Sequence, residues 1–212
     1  MQTDDLIAHL SGDLPPIRHG TVTRILLGGI LLGLIGSAAV MVFVLHPRHD
    51  LADAMTSFGM WTKLAYTLAL TAFAFGIVER AGRPGAGMAR PALLLALPVL
   101  AIALLSMIQM RAPGADPHAL VMGHTSRVCA MLVVMTALPT LAATFWALRQ
   151  LAPTRLGLAG AGAGLFAGAA GAFVYCFHCP EAAAPFIAVW YSLGVALTTA
   201  IGGFLGPRVL RW

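Results

Sequence analysis

Long apolar runs alternate with short polar connections from residue 25 to the end of this chain. The runs fall at about 25–45, 58–78, 91–110, 127–148, 156–178 and 185–205. About 20 apolar residues in helical form cross the ~30 Å hydrocarbon core of a bilayer. The pattern therefore predicts an all-α integral membrane protein with six transmembrane helices. Residues 1–24 are a polar N-terminal segment with a short helical stretch, and 25–212 form one membrane domain. Pro98 and Pro139 lie inside the third and fourth runs, and Pro98 predicts a kink in the third.

Composition agrees with the pattern. Of 212 residues, 59% are hydrophobic and 10% charged, and mean hydropathy is +0.85. Soluble domains carry about 25% charged residues, so this chain cannot clothe itself in polar surface. The first twenty residues lack the apolar core of a secretory signal, so the N-terminus is expected in the cytoplasm.

The basic residues orient the bundle. An N-terminus inside puts Arg18, Arg24, Arg80, Arg83, Arg90, Arg149, Arg155, Arg208 and Arg211 on the inner side. Arg48, Lys63, Arg111 and Arg127 are then outside. The inward excess of cations fits both termini in the cytoplasm. In a Gram-negative inner membrane the outer side faces the periplasm. The net charge of +5 reads as topology and lipid contact, not as direct nucleic-acid binding.

On this map the reactive side chains gather outside. Cys129, Cys176, Cys179, His46, His49, His118, His124, His178, Asp50, Asp53, Asp116 and Glu181 all fall at outer ends, whereas His9 and His19 fall inside. The stretch "YCFHCPE" (175–181) puts two of the three cysteines and a histidine together. A short inner turn, "RQLAPT" (149–154), makes the fourth and fifth spans antiparallel neighbours. Counting outward from it at 1.5 Å per residue brings Cys129 level with Cys176, with Cys179 about one turn beyond. Thiolates with imidazole bind zinc, cadmium or copper(I), and thiols also oxidise to disulfides. The metal ligands to consider are Cys129 and Cys179, with Cys176 and His178 beside them. The opposing reading is plain: cysteine is also a small packing residue.

Gly160, Gly164 and Gly168 form a ridge that lets helices approach closely. Lys63 and Arg127 sit near span ends, where a long side chain can snorkel without further role. Trp190 and Tyr191 are either interfacial aromatics or packing under the cysteine loop. No ionisable residue lies near the middle of a span, which disfavours an ion pathway. No phosphate loop, HExxH or GxSxG occurs. Catalysis and transport therefore lack their usual tools, and the expectation is a protein that is not an enzyme and requires no cofactor, with zinc, cadmium or copper(I) at most a bound ligand.

The N-terminal stretch "TDDLIAHLSGDLPP" has helix start and stop signals. Thr3 is a cap, Asp4 and Asp5 suit the first turn, and Leu6, Ile7 and Leu10 make one apolar stripe. A helix of about eight residues is marginal alone; its stripe either lies in a partner's groove and becomes ordered there or rests on the membrane surface, and the acidic start favours a basic protein partner.

The segments "DDLIAHL", "SRVCAML" (126–132), "LRQLAPT" (148–154), "GLFAGAAGAFVYCFHCPE" (164–181), "FIAVWY" (186–191) and the terminal "RW" resemble the NrsF-type membrane anti-sigma factors along essentially the whole chain. The resemblance implies a cytoplasmic N-terminal segment that holds an extracytoplasmic-function sigma factor, carried here by Asp5, Leu6, Ile7 and Leu10. It also implies an outward cysteine pair that answers heavy-metal or oxidative stress, which maps to Cys129 and Cys179. Cys176 is an addition to that pattern. The alternative is a small membrane thiol-disulfide oxidoreductase, although such enzymes need two cysteine pairs and an electron acceptor. A metal permease is a third reading, disfavoured by the empty span centres.

Overall fold

A computed structural model describes residues 20–83, 87 and 89–211. Asp5, Leu6, Ile7 and Leu10, and most of the 1–24 segment, lie outside the described residues. Among those described there are helices and connections and no strand. They are α1 (Thr21–Val40, followed by a π-helical turn, Met41–Leu45), α2 (Leu51–Ala54), α3 (Phe58–Ala81), α4 (Ala89–Leu94), α5 (Ala96–Met110), α6 (Pro117–Met122), α7 (Ser126–Arg149), α8 (Leu156–Tyr175), α9 (Ala184–Phe186, followed by a second π-helical turn, Ile187–Tyr191) and α10 (Ser192–Val209).

Six helical segments are long and apolar enough to cross a bilayer: Thr23–Leu45, Phe58–Ala81, Arg90–Met110, Pro117–Arg149, Leu156–Tyr175 and Ala184–Val209. Each overlaps a run read from hydropathy. The first helix begins at Thr21, inside the segment that polarity alone assigns to the tail. The third segment breaks at Leu95, between α4 and α5. Pro98 explains the break: without an N–H it leaves the Leu94 carbonyl unbonded. The π turns lie next to the cysteine connection, and such widened turns often mark sites where a helix is re-aimed.

The bundle centres on α8, of which 72% is buried, against 22% of the third segment. Small residues allow this. A methyl at Gly160 or Gly164 would strike backbone atoms of Gly202, Gly206, Thr198 or Thr199 in α10. The glycine ridge thus serves the fifth and sixth segments. The fourth meets α8 on another face, where Gly171 lies against Ala137. In α1, Gly29 and Gly33 pack on Ala143 and Thr140 of α7, beside a buried bond between the Ser37 and Thr140 hydroxyls at 2.8 Å. Around the outside, Leu31, Leu32, Leu93, Leu100, Met131 and Phe204 are exposed. An apolar perimeter of this kind suits lipid and not water.

Candidate functional site: a buried thiol cluster

Cys129 stands in the first turn of α7, its N–H donating to Thr125 O at 3.0 Å. Cys176 caps the C-terminus of α8, and Cys179 follows in the connection to α9. All three are 0% exposed and belong to one apolar cluster with Tyr175, Phe186, Ile187 and Tyr191. All three are free thiols. Cys129 and Cys179 thus share one buried cluster although they stand fifty residues apart. Cys176 Sγ donates to Ala172 O at 3.2 Å and lies 3.6 Å from Thr67 Oγ1. Thr125 Oγ1 is 4.0 Å from Cys179 Sγ.

Below the connection lies a buried cation. Lys63, in the second turn of α3, is 0% exposed. Its Nζ donates to Cys179 O at 2.8 Å and to Glu181 O at 3.0 Å, and sits 6.0 Å from the centre of the Tyr191 ring. No carboxylate among the described residues pairs with it. The expectation that Lys63 snorkels to water is therefore overturned. Two carbonyls turned inward by the tight Cys179–Glu181 bend give the ammonium better partners within the protein than its helix end offers in solvent. Burying a charge requires such compensation.

Tyr191 is buried in the same cluster as the three cysteines, and its hydroxyl closes no hydrogen bond. It is the one buried side-chain polar atom among the described residues with no hydrogen-bond partner. Tyr191 thus packs under the cysteine connection. Trp190 donates its indole N–H to Val121 O at 2.9 Å, so the two aromatics left open between interface and packing both serve packing. The Cys179 thiol, outside the helices, is held below the ordinary cysteine range. The contact with Cys129 is the main cause; burial opposes it and the Lys63 charge reinforces it.

The remaining polar groups stitch the connection in place. Arg48 N donates to Phe177 O at 3.1 Å, and its guanidinium reaches Cys179 O and Pro180 O at 3.4 and 3.5 Å. The same guanidinium pairs with Asp50 at 2.6 Å, which raises the pKa of Arg48 and holds the Asp50 carboxyl down at about 2. His178 turns away from the sulfurs: its Nδ1 meets His46 O at 2.8 Å, and its ring lies tilted on Tyr175. Glu181 also turns away, accepting the His124 N–H at 2.6 Å. Gln109 accepts from Ala184 N at 2.8 Å. Among the described residues no three His, Cys, Asp or Glu side chains converge as a metal-binding group.

The sequence comparisons bear on the same chain. The family described as NrsF, negative regulator of sigma F, matches residues 10–212. The probable anti-sigma-F factor NrsF of Azospira oryzae is 38% identical over 215 residues, covering all of both chains. The anti-sigma-F factor NrsF of Caulobacter vibrioides is 38% identical over 217 residues, again covering both completely. The chain belongs to the NrsF family. No solved structure matches it.

In this NrsF-family chain, Cys129, Cys176 and Cys179 come together and His178 does not join them. Lys63, Arg48 and Thr125 were missed as parts of the site. One signal pointed to Lys63: it lies on the same helical stripe as Met60, Leu64 and Thr67, all buried, which is the core-facing stripe of α3. A cation on that stripe needs an internal partner. Arg48 carried no such signal, because its guanidinium contacts with Cys179 and Pro180 join residues 131 and 132 positions apart.

Proposed function

We propose that this chain is a membrane-bound anti-sigma factor of the cytoplasmic membrane, with both termini in the cytoplasm. In this reading Asp5, Leu6, Ile7 and Leu10 hold an extracytoplasmic-function sigma factor, and chemistry at Cys129 and Cys179 releases it. The observation that carries the thiol part is the meeting of Cys129 and Cys179, fifty residues apart in sequence, in one buried cluster. Family membership and the two anti-sigma-F relatives support the regulatory part. The inward excess of arginine supports the orientation.

Two thiols in one buried cluster suit oxidation. A peroxide reacts as follows. The Cys179 thiolate attacks one oxygen, the O–O bond breaks, and the leaving hydroxide takes a proton to become water. Cys179 is then a sulfenic acid. Cys129 sulfur attacks it, the S–S bond forms, and the hydroxyl leaves with the thiol proton as a second water. Two thiols lose two electrons and the peroxide gains them. The same pair of sulfurs is also a donor set for a two-coordinate soft ion such as copper(I). A tetrahedral zinc or cadmium ion needs further donors, and His178 and Glu181 are bonded elsewhere.

The test is expression from a sigma-dependent promoter with Cys129→Ser and Cys179→Ser, before and after a thiol oxidant or cadmium. Loss of induction in both is expected. Induction equal to the parent in both rejects the thiol reading. Deleting residues 1–14 is expected to abolish co-purification of the sigma factor; unchanged capture and unchanged silencing reject the tail's role. A disulfide oxidoreductase would instead reduce quinone with turnover of substrate disulfides in purified form.

A further inference from the structure

We propose that α3 carries the signal from the thiol cluster to the N-terminal segment, Lys63 positioning the cysteine connection at its outer end and Glu79 positioning the root of the segment at its inner end. The inference rests on the thiol reading above and adds the route by which the message crosses the bundle.

The outer clasp is the pair of bonds from Lys63 Nζ to Cys179 O and Glu181 O. These carbonyls flank Pro180, so a shift of the Cys179 sulfur toward Cys129 moves the backbone that Lys63 holds. A cavity of about 300 Å³, lined by Lys63, Met60, Arg48, Pro180 and Ala182 among others, lies beside the clasp. The connection has room to move there without a clash.

The inner clasp is Glu79. Its Oε1 accepts from Thr23 Oγ1 at 3.0 Å and from Arg83 at 2.6 Å. Thr23 is the third residue of α1, where the chain leaves the N-terminal segment. Elsewhere α1 packs chiefly on α7 through Gly29, Gly33 and Gly36, so this polar knot is its specific tie to α3.

Between the clasps α3 runs unbroken from Phe58 to Ala81 with no proline. Lys63 and Glu79 are separated by roughly 24 Å of helix at about 1.5 Å per residue. A stiff rod held at both ends transmits a displacement, whereas a rod free at one end dissipates it. By contrast, α7, which carries Cys129, has Pro139 inside it, and a proline there lacks one helical hydrogen bond. Ligand-driven change of a two-state element needs contacts at both sites that can differ between the states, and α3 has a polar contact at each end.

The experiment uses the full-length protein co-expressed with its sigma factor and treated with diamide, which takes two hydrogens from two thiols to become a hydrazine. Two readouts are taken together: the Cys129–Cys179 disulfide by alkylation gel shift, and expression from a sigma-dependent promoter. Glu79→Ala and Thr23→Val are expected to form the disulfide as the parent does, yet to lose about fivefold or more of the induction. Glu79→Gln and Thr23→Ser keep the acceptor and the hydroxyl and are expected to restore it. Rescue by glutamine separates the Thr23 tie from the Arg83 ion pair, which glutamine also loses. Lys63→Met is expected to lower induction likewise; should it fail to accumulate, the inner-end variants carry the test. Full induction in Glu79→Ala and Thr23→Val, with the disulfide formed, overturns the route while leaving the thiol reading in place. Full induction in Cys129→Ser overturns the thiol reading and this inference with it.

Discussion

Complete burial of the thiols has a kinetic consequence. For a maleimide to reach Cys179, the 176–183 connection must lift. Lifting breaks the two bonds from the Lys63 ammonium, at 2.8 and 3.0 Å. Hydrogen bonds to charged groups are worth about 1.5–3 kcal/mol each, so opening requires about 3–6 kcal/mol. At about 1.4 kcal/mol per tenfold, labelling should be slowed roughly 10²–10⁴-fold relative to the unfolded chain. Arg48 adds a weaker restraint through its 3.4 and 3.5 Å contacts. The assay is the rate of labelling by a membrane-impermeant maleimide, under reducing and metal-free conditions, in intact cells and in detergent-unfolded protein. Cys179 provides the reading in a variant with Cys129 and Cys176 changed to serine. Slow labelling from outside, accelerated tenfold or more by Arg48→Ala with Lys63→Met, agrees with the geometry. Labelling within tenfold of the unfolded rate refutes the burial. Labelling only after lysis refutes the outward orientation.

Further outcomes follow from the packing and charges. Gly164→Ala sets a methyl against Thr198 and Thr199 backbone, while Gly203→Ala meets Ala161 and Gly157 only at ordinary contact; overpacking by about 2 kcal/mol should lower the melting temperature of the first by about 4–8 °C and leave the second nearly unchanged. Equal melting temperatures would show that the α8–α10 seam is looser than described. Tyr191→Phe removes a buried hydroxyl that has no partner and should raise the melting temperature by about 2–4 °C; a fall would reveal a hydrogen bond to sulfur. The Asp50 carboxyl, at about 2 against an ordinary 3.8, keeps its pair with Arg48 fully above pH ~4. That stabilisation is lost as the pH falls through about 2, so NMR titration of Asp50 should show a midpoint near 2 that rises in Arg48→Gln. A midpoint unmoved by that substitution would dissociate the shift from the pair.

Much of the fold was legible because the exposed perimeter and the core of this bundle both carry apolar side chains. The six runs stand out on hydropathy alone, and Pro98 marks the break at Leu95 through its missing N–H. The packing of the fourth segment on the fifth followed from the short turn at 149–154, and Gly171 lies against Ala137 between them. Helix rotation was another matter. The glycine ridge announced a close contact but not its partner, and the partner proved to be α10, with its own Gly202 and Gly206. Two small-residue faces recognise each other by shape, and nothing in a one-dimensional spacing says which faces meet.

The polar interior was harder to read for a related reason. Lys63 near a helix end looks like an interfacial cation, and its position in the sequence is compatible with water. Its burial depends on two carbonyls from a connection 116 and 118 residues away, turned inward by the bend through Pro180. His178, by contrast, sits between two cysteines in sequence yet points to His46, because the connection leaves α8 with that side chain on its outer face. Neighbours in the chain therefore part company while distant residues converge on the sulfurs. The site is defined by the fold of the 176–183 connection and only secondarily by the CxxC spacing. Chemistry that tightens Cys129 against Cys179 must accordingly act on that connection first, and the buried ammonium of Lys63 holds two of its carbonyls.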